Sequence, residues 1–128
     1  SIFSKIVSGE ILSYKIYEDS NHLAFLDIFP ISKGHVLVIP KKEIDYVFDM
    51  NDREYSQLLL FAKKTSLAIK KVINCKRVSL NIVGFDVPHV HIHLIPLNSI
   101  SDLNFEKQKL TFSEEEFKEI AESIREAI

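Results

Sequence analysis

The chain has 128 residues, 46% of them hydrophobic, with 16 basic and 18 acidic side chains and a net charge of −2. That length suits one domain. The apolar content excludes a disordered tail, and the charge balance excludes a protein that coats nucleic acid through a large positive field. Cys75 is the single cysteine, so no internal disulfide forms. No apolar run reaches the roughly 18 residues that span a bilayer, and the N-terminus lacks a signal-peptide pattern. The sequence therefore predicts a cytoplasmic domain in a reducing compartment, with no membrane and no nucleic-acid polymer as partner.

Within Ser1 to Glu10, Ile2, Phe3 and Ile6 recur at helical spacing and Gly9 is a natural stop, which predicts a short helix. Two strands follow, Lys15–Glu18 and Leu23–Asp27, joined by a polar turn that places His22 outside both and without a role. Pro30 and Ser32-Lys33-Gly34 break the chain before a β-branched strand from His35 to Ile39, which Pro40 ends. Asn51 caps a long helix, with Glu54 in the capping-box position and Tyr55, Leu58, Leu59, Ala62, Ile69, Val72 and Ile73 on one face. Strands are expected at Val78–Val83 and His89–Ile95, and a surface loop from Leu97 to Thr111. Ser113 caps a final helix over about 114–127, with Glu116 as box partner and Phe112 and Phe117 as hydrophobic staple. This order predicts an α+β fold: one domain over 1–128, an antiparallel sheet of about five strands, a long central helix, and a C-terminal extension over 97–128.

The segment Pro88-His89-Val90-His91-Ile92-His93-Leu94 concentrates chemistry. Alternate side chains of a strand share a face, so Val90, Ile92 and Leu94 belong to the core and the three histidines to the opposite face. Three imidazoles on one face contribute little packing, and clustered titratable groups mark candidate sites. Metal binding fits poorly. Strand residues two apart lie about 6.6–6.8 Å apart at Cα, so two adjacent alternates can share an ion, with His35 as a possible third ligand, but His89 and His93 have difficulty reaching the same one. No second cluster of ligands completes a site, and no metal or cofactor is expected. Nucleophilic catalysis fits better: a central imidazole can attack phosphorus when a neighbour fixes its tautomer, and flanking rings can donate hydrogen bonds or carry protons. Between Asn81 and Pro96 there is no Lys or Arg. An anion bound there is met by imidazole, backbone N–H or the Asn81 amide, which suits a small phosphate ester.

The run His-Val-His-Ile-His-Leu-Ile resembles the signature of the histidine triad family, His-x-His-x-His followed by two hydrophobic residues. Three further blocks resemble its nucleotide-binding branch: Ile2–Ile6 with Gly9–Ile11, Leu23–Ile28, and Gly34–Lys41. The resemblance implies an antiparallel sheet paired as a homodimer, and cleavage of the α-phosphate P–N or P–O bond of a purine nucleotide of the AMP type. It makes His91 the nucleophile that becomes transiently nucleotidylated. His93 and Asn81 donate to phosphate oxygens, His89 and His35 orient the neighbouring rings, and Asp27 accepts from the ribose hydroxyls. Ile2, Phe3, Ile6, Phe25 and Ile28 sandwich the purine. Dinucleoside polyphosphate hydrolysis, or nucleotide binding with little turnover, is the alternative.

Two positions depart from that pattern. The branch usually carries Gln four residues before the first triad histidine and Ser or Thr three before, where this chain has Phe85 and Asp86. Phe85 donates no hydrogen bond, and an ionised Asp86 facing a phosphate repels it. Asp86 is expected either to point away or to meet a positively charged amine leaving group.

Overall fold

A computed structural model describes residues 1–128. Its helices begin where the sequence supplies caps. Ser1 accepts a hydrogen bond from the Ser4 N–H at the start of α1 (Ile2–Ser8), and Gly9 ends that helix at φ 85°. In α2 (Asp52–Val72) the Asn51 side chain accepts from the Glu54 N–H at 2.8 Å, and the Glu54 carboxylate accepts from the Asn51 N–H at 3.3 Å. The same reciprocal box, Ser113 with Glu116, opens α3 (Glu114–Glu126). Phe112 and Phe117 meet edge to face there with ring centroids 5.4 Å apart, completing the staple.

Five strands form one antiparallel sheet: β1 (Lys15–Glu18), β2 (His22–Leu26), β3 (Val36–Pro40), β4 (Arg77–Asn81) and β5 (Ile92–Leu97), in spatial order β1-β2-β3-β5-β4. Every residue of β2 and β3 is buried, because both faces of the sheet are covered. On one face Ala24, Leu26, Val36, Val38, Ile92 and Leu94 pack with Leu58, Phe61 and Ile69 of α2 and with Phe117, Ile120 and Ile124 of α3. On the other, Leu23, Phe25, Leu37 and Ile39 pack with Phe3 and Ile6 of α1. The alternation read from the sequence thus assigns each strand's two faces to two separate apolar layers. The α+β architecture is the expected one.

β1 keeps its expected limits, whereas β2 to β5 shift by one to three residues at each end. Pro40, expected to end its strand, is the last residue of β3, and Asp27 lies just outside β2. His22 opens β2 instead of lying in the turn, and its buried ring hydrogen-bonds Asp19 and packs over Phe61. Val83 lies beyond β4, which ends at Asn81 before Gly84 turns the chain at φ 81°. The segment His89–His91 precedes β5 because its amides bond elsewhere: the His89 N–H donates to the Val87 carbonyl and the Val90 N–H to the Ile44 carbonyl. No helix is long and apolar enough to cross a membrane.

Candidate active site

All three triad histidines and His35 are buried on the α1 side of the sheet, and each is held by a different device. His89 has both ring nitrogens occupied: Nε2 donates to the Pro40 carbonyl at 2.7 Å, and Nδ1 lies 2.8 Å from the Ser1 hydroxyl. Burial holds its pKa below the ordinary value. It is an anchored ring with no free proton. His91 donates from Nδ1 to the His89 carbonyl at 2.7 Å, which turns Nε2 outward. Phe3 of α1 packs edge to face against it, ring centroids 5.1 Å apart, fixing the plane of the ring. His91 Nε2 lies 3.1 Å from Oδ1 of Asp86.

His35 and His93 form a directed pair. The Ile31 N–H donates to His35 Nδ1 at 3.2 Å, so the His35 proton sits on Nε2 and is donated to His93 Nδ1, 2.9 Å away. The His93 proton is therefore on Nε2, free to donate to a ligand. Burial pushes both pKa values down to about 4, helped for His35 by the charge of Lys109 and for His93 by the neighbouring imidazoles. Both rings are neutral at pH 7. Gly34 makes this placement possible. It takes φ 89° beside His35, and a Cβ there would sit 2.8 Å from Ile73 Cγ1.

Asp27 lies one residue beyond β2, where one carboxylate oxygen accepts from the Phe29 N–H at 2.8 Å and the other lies 3.5 Å from His35 Nε2. Burial raises its pKa. Asn81 pairs across the ladder with His93 and donates from its amide to the Ser79 hydroxyl at 2.9 Å. Of the five residues expected around a purine, the structure brings Phe3, Ile6 and Phe25 together in the buried layer under the histidines. Ile2 is exposed on α1, while Ile28 lines a groove with Leu12, Tyr14 and α3, away from that trio.

Two residues that meet the site lie outside the motifs read from the sequence. The 97–111 segment, expected as a surface loop, folds back over the histidine face. Its Leu110 N–H donates to the Pro30 carbonyl, and the Phe105 ring packs on His93 with centroids 5.0 Å apart. Lys109 follows, its amine held by the Phe105 and Lys107 carbonyls and its charge felt at His35 and Asp27. A lone Phe in a polar stretch was the one available hint.

Asp27, His35 and His93 each present a ligand atom within 4.8 Å of the others, a donor set that could hold a divalent cation. The grouping differs from the one considered from strand geometry: His35 joins His93 and Asp27 rather than two neighbouring triad histidines. The His35-to-His93 hydrogen bond accounts for both facing nitrogens without an ion.

A family model described as the HIT domain matches residues 8–100. A relative from Schizosaccharomyces pombe, named adenosine 5'-monophosphoramidase hnt1, is 38% identical over 129 residues, covering 99% of this chain and 97% of its own. The crystal structure of a hypothetical histidine triad nucleotide-binding protein from Sulfolobus tokodaii superposes with a TM-score of 0.87 at 30% identity, covering 99% of this chain and 91% of that one. A zinc-bound histidine triad family protein from Mycobacterium smegmatis superposes with a TM-score of 0.80 at 26% identity, covering 98% and 91%.

Proposed function

We propose that this chain, which belongs to the histidine triad (HIT) family, is a nucleoside phosphoramidase that splits the α-phosphate P–N or P–O bond of purine nucleotide conjugates. It acts as a cytoplasmic homodimer on small molecules. The observation that carries this reading is the His91 ring. With Nδ1–H bonded to the His89 carbonyl, the remaining nitrogen, Nε2, is the one that can carry a reactive lone pair. Nucleophile and orienting group are thus both supplied by the segment that enters β5.

The reaction runs in two displacements. His91 Nε2 attacks the α-phosphorus, a P–Nε2 bond forms, and the bond to the leaving nitrogen or oxygen breaks as that atom gains a proton. Water then attacks phosphorus, the P–Nε2 bond breaks, and the nucleoside monophosphate departs. His93, neutral and with its Nε2–H unshared, donates to a non-bridging phosphate oxygen. Asn81 lies across the ladder to assist, and His35 fixes the His93 tautomer. Asp27 has one carboxylate oxygen beyond its own turn bond to accept from ribose. Phe3, Ile6 and Phe25 give the base an apolar floor.

The test is AMP release from adenosine 5'-phosphoramidate by the wild type and by His91→Ala, with and without EDTA. Release that survives EDTA and drops at least 1,000-fold in the variant, of the order expected when a nucleophile is removed, supports the reading. So does an adenylylated His91 trapped by acid quench and mass spectrometry. The Asp27, His35 and His93 donor set favours one second reading, a cation-dependent hydrolase, and loss of release on chelation selects it. Tight AMP binding without any adenylyl-enzyme selects a binding protein. Faster turnover of a dinucleoside polyphosphate selects that substrate class.

A further inference from the structure

The proposed chemistry leaves one proton unassigned. An amine or alkoxide leaving group needs a proton as its bond to phosphorus breaks, and the histidines of the site have their protons committed elsewhere. His89 has both nitrogens occupied. His35 gives its proton to His93, and the His93 proton faces phosphate. The Lys109 ammonium spends two of its three N–H groups on the Phe105 and Lys107 carbonyls.

Asp86 answers the gap. Its Oδ1 lies 3.1 Å from His91 Nε2, and an ionised carboxylate only accepts hydrogen bonds. His91 Nδ1–H is already spent on the His89 carbonyl. The contact therefore needs one shared proton, held between Nε2 and Oδ1. Attack requires the lone pair on Nε2, so the shared proton must reside on Asp86 when phosphorus is engaged, and Asp86 is the group placed to hold it. The pairing also joins a fixed partner to an accessible one. The His91 side chain is 1% exposed and that of Asp86 71%, on a loop that turns at Gly84.

We propose that Asp86 is the proton carrier of the reaction, resting on the nucleotidyl-histidine reading above. As the α-phosphate approaches, Asp86 takes the shared proton, leaving His91 neutral and nucleophilic. The carboxylate loses the charge that would repel the phosphate, so substrate docking and nucleophile activation are one event. Attack and departure are in line, with the leaving atom on the far side of phosphorus from Nε2. The exposed Asp86 side chain swings across the phosphoryl group and gives its proton to that atom. In the second displacement the ionised Asp86 removes a proton from the attacking water as the P–Nε2 bond breaks. That proton returns to its place between Nε2 and Oδ1, restoring the starting pair.

The experiment compares wild type with Asp86→Asn across adenosine 5'-phosphoramidates and AMP esters graded by leaving-group basicity, ending at p-nitrophenyl, which departs without a proton. The expected result is a kcat/KM loss of about 100- to 1,000-fold for alkylamine and alkyl leaving groups, the usual scale of general acid catalysis. For p-nitrophenyl a loss below tenfold is expected, so the dependence on leaving-group basicity steepens. Formate should restore part of the alkylamine rate to Asp86→Ala. An equal loss along the whole series, or a faster variant, overturns the proton-carrier role while adenylyl-His91 in the wild type keeps the underlying reading intact. No adenylyl-His91 in the wild type overturns that reading and this proposal together.

Discussion

Each histidine of the site has a job set by what its second nitrogen touches, and the His35–His93 pair gives the sharpest consequence. His93 can present Nε2–H to a phosphate because His35 fills its Nδ1. Removing His93 deletes a donor to the developing charge, a loss of about 100- to 1,000-fold in kcat. His35→Ala leaves the donor present with its tautomer free, so a smaller loss is expected. The double variant should be no slower than His93→Ala alone, because the two residues act through one hydrogen bond. Additive losses in that cycle would show that His35 acts independently. The same pair makes stability depend on pH. Both folded-state pKa values lie near 4, below the 6.5 of a free imidazole. Between those limits the unfolded chain binds more protons, so the contribution is full above about pH 6.5 and is lost as pH falls toward 4. Asp27, with a raised pKa, works in the opposite sense at the acid end. Urea midpoints at pH 7 and pH 5 should therefore differ more for wild type than for His35→Ala.

At the scale of elements, helices were legible because their signals are local. Both capping boxes lie within four consecutive residues, so sequence alone located the starts of α2 and α3. Those caps support a stability prediction separable from the chemistry. Ser113→Ala should cost about 1 kcal/mol, the usual value of an N-cap, and leave the rate per folded molecule unchanged, because α3 packs on the sheet face opposite the histidines. Chemical denaturation beside a steady-state assay checks both halves. Strands were legible in their faces and less so in their limits. The alternation through Val90, Ile92 and Leu94 named the face that joins the larger apolar core, although the histidine face is buried as well. Where the ladder begins depends on Val90 bonding to Ile44, a contact 46 positions away. The family resemblance likewise placed His35 and the triad on one site and marked Asp86 as a departure. The sequence could not show Asp86 meeting Nε2 or Phe105 covering His93, because a polar loop with no period carries no record of what it folds onto.

For the whole molecule, the unfinished feature is one edge of the sheet. The family resemblance implies a homodimer through the long helix and a sheet edge, and the structure has a matching unpartnered surface. β4 is an edge strand with unpaired backbone groups, and Leu80 on it is 46% exposed. On α2, Leu60 and Leu67 lie seven residues apart on one face and are 64% and 56% exposed, while the buried residues of that helix face the sheet. Large aliphatic side chains left in water on a helix and an edge strand favour an interface between copies. Pairing two β4 edges antiparallel about a two-fold axis would satisfy their backbone groups and set the two α2 helices side by side. Light scattering should then give a mass of twice 14.8 kDa at micromolar concentration. The melting temperature should rise with protein concentration, since association stabilises the folded state by mass action. Leu60→Glu with Leu67→Glu should give a folded monomer, because neither side chain belongs to the core. A wild-type mass of 14.8 kDa under the same conditions would remove the dimer and leave the exposed leucines to another partner.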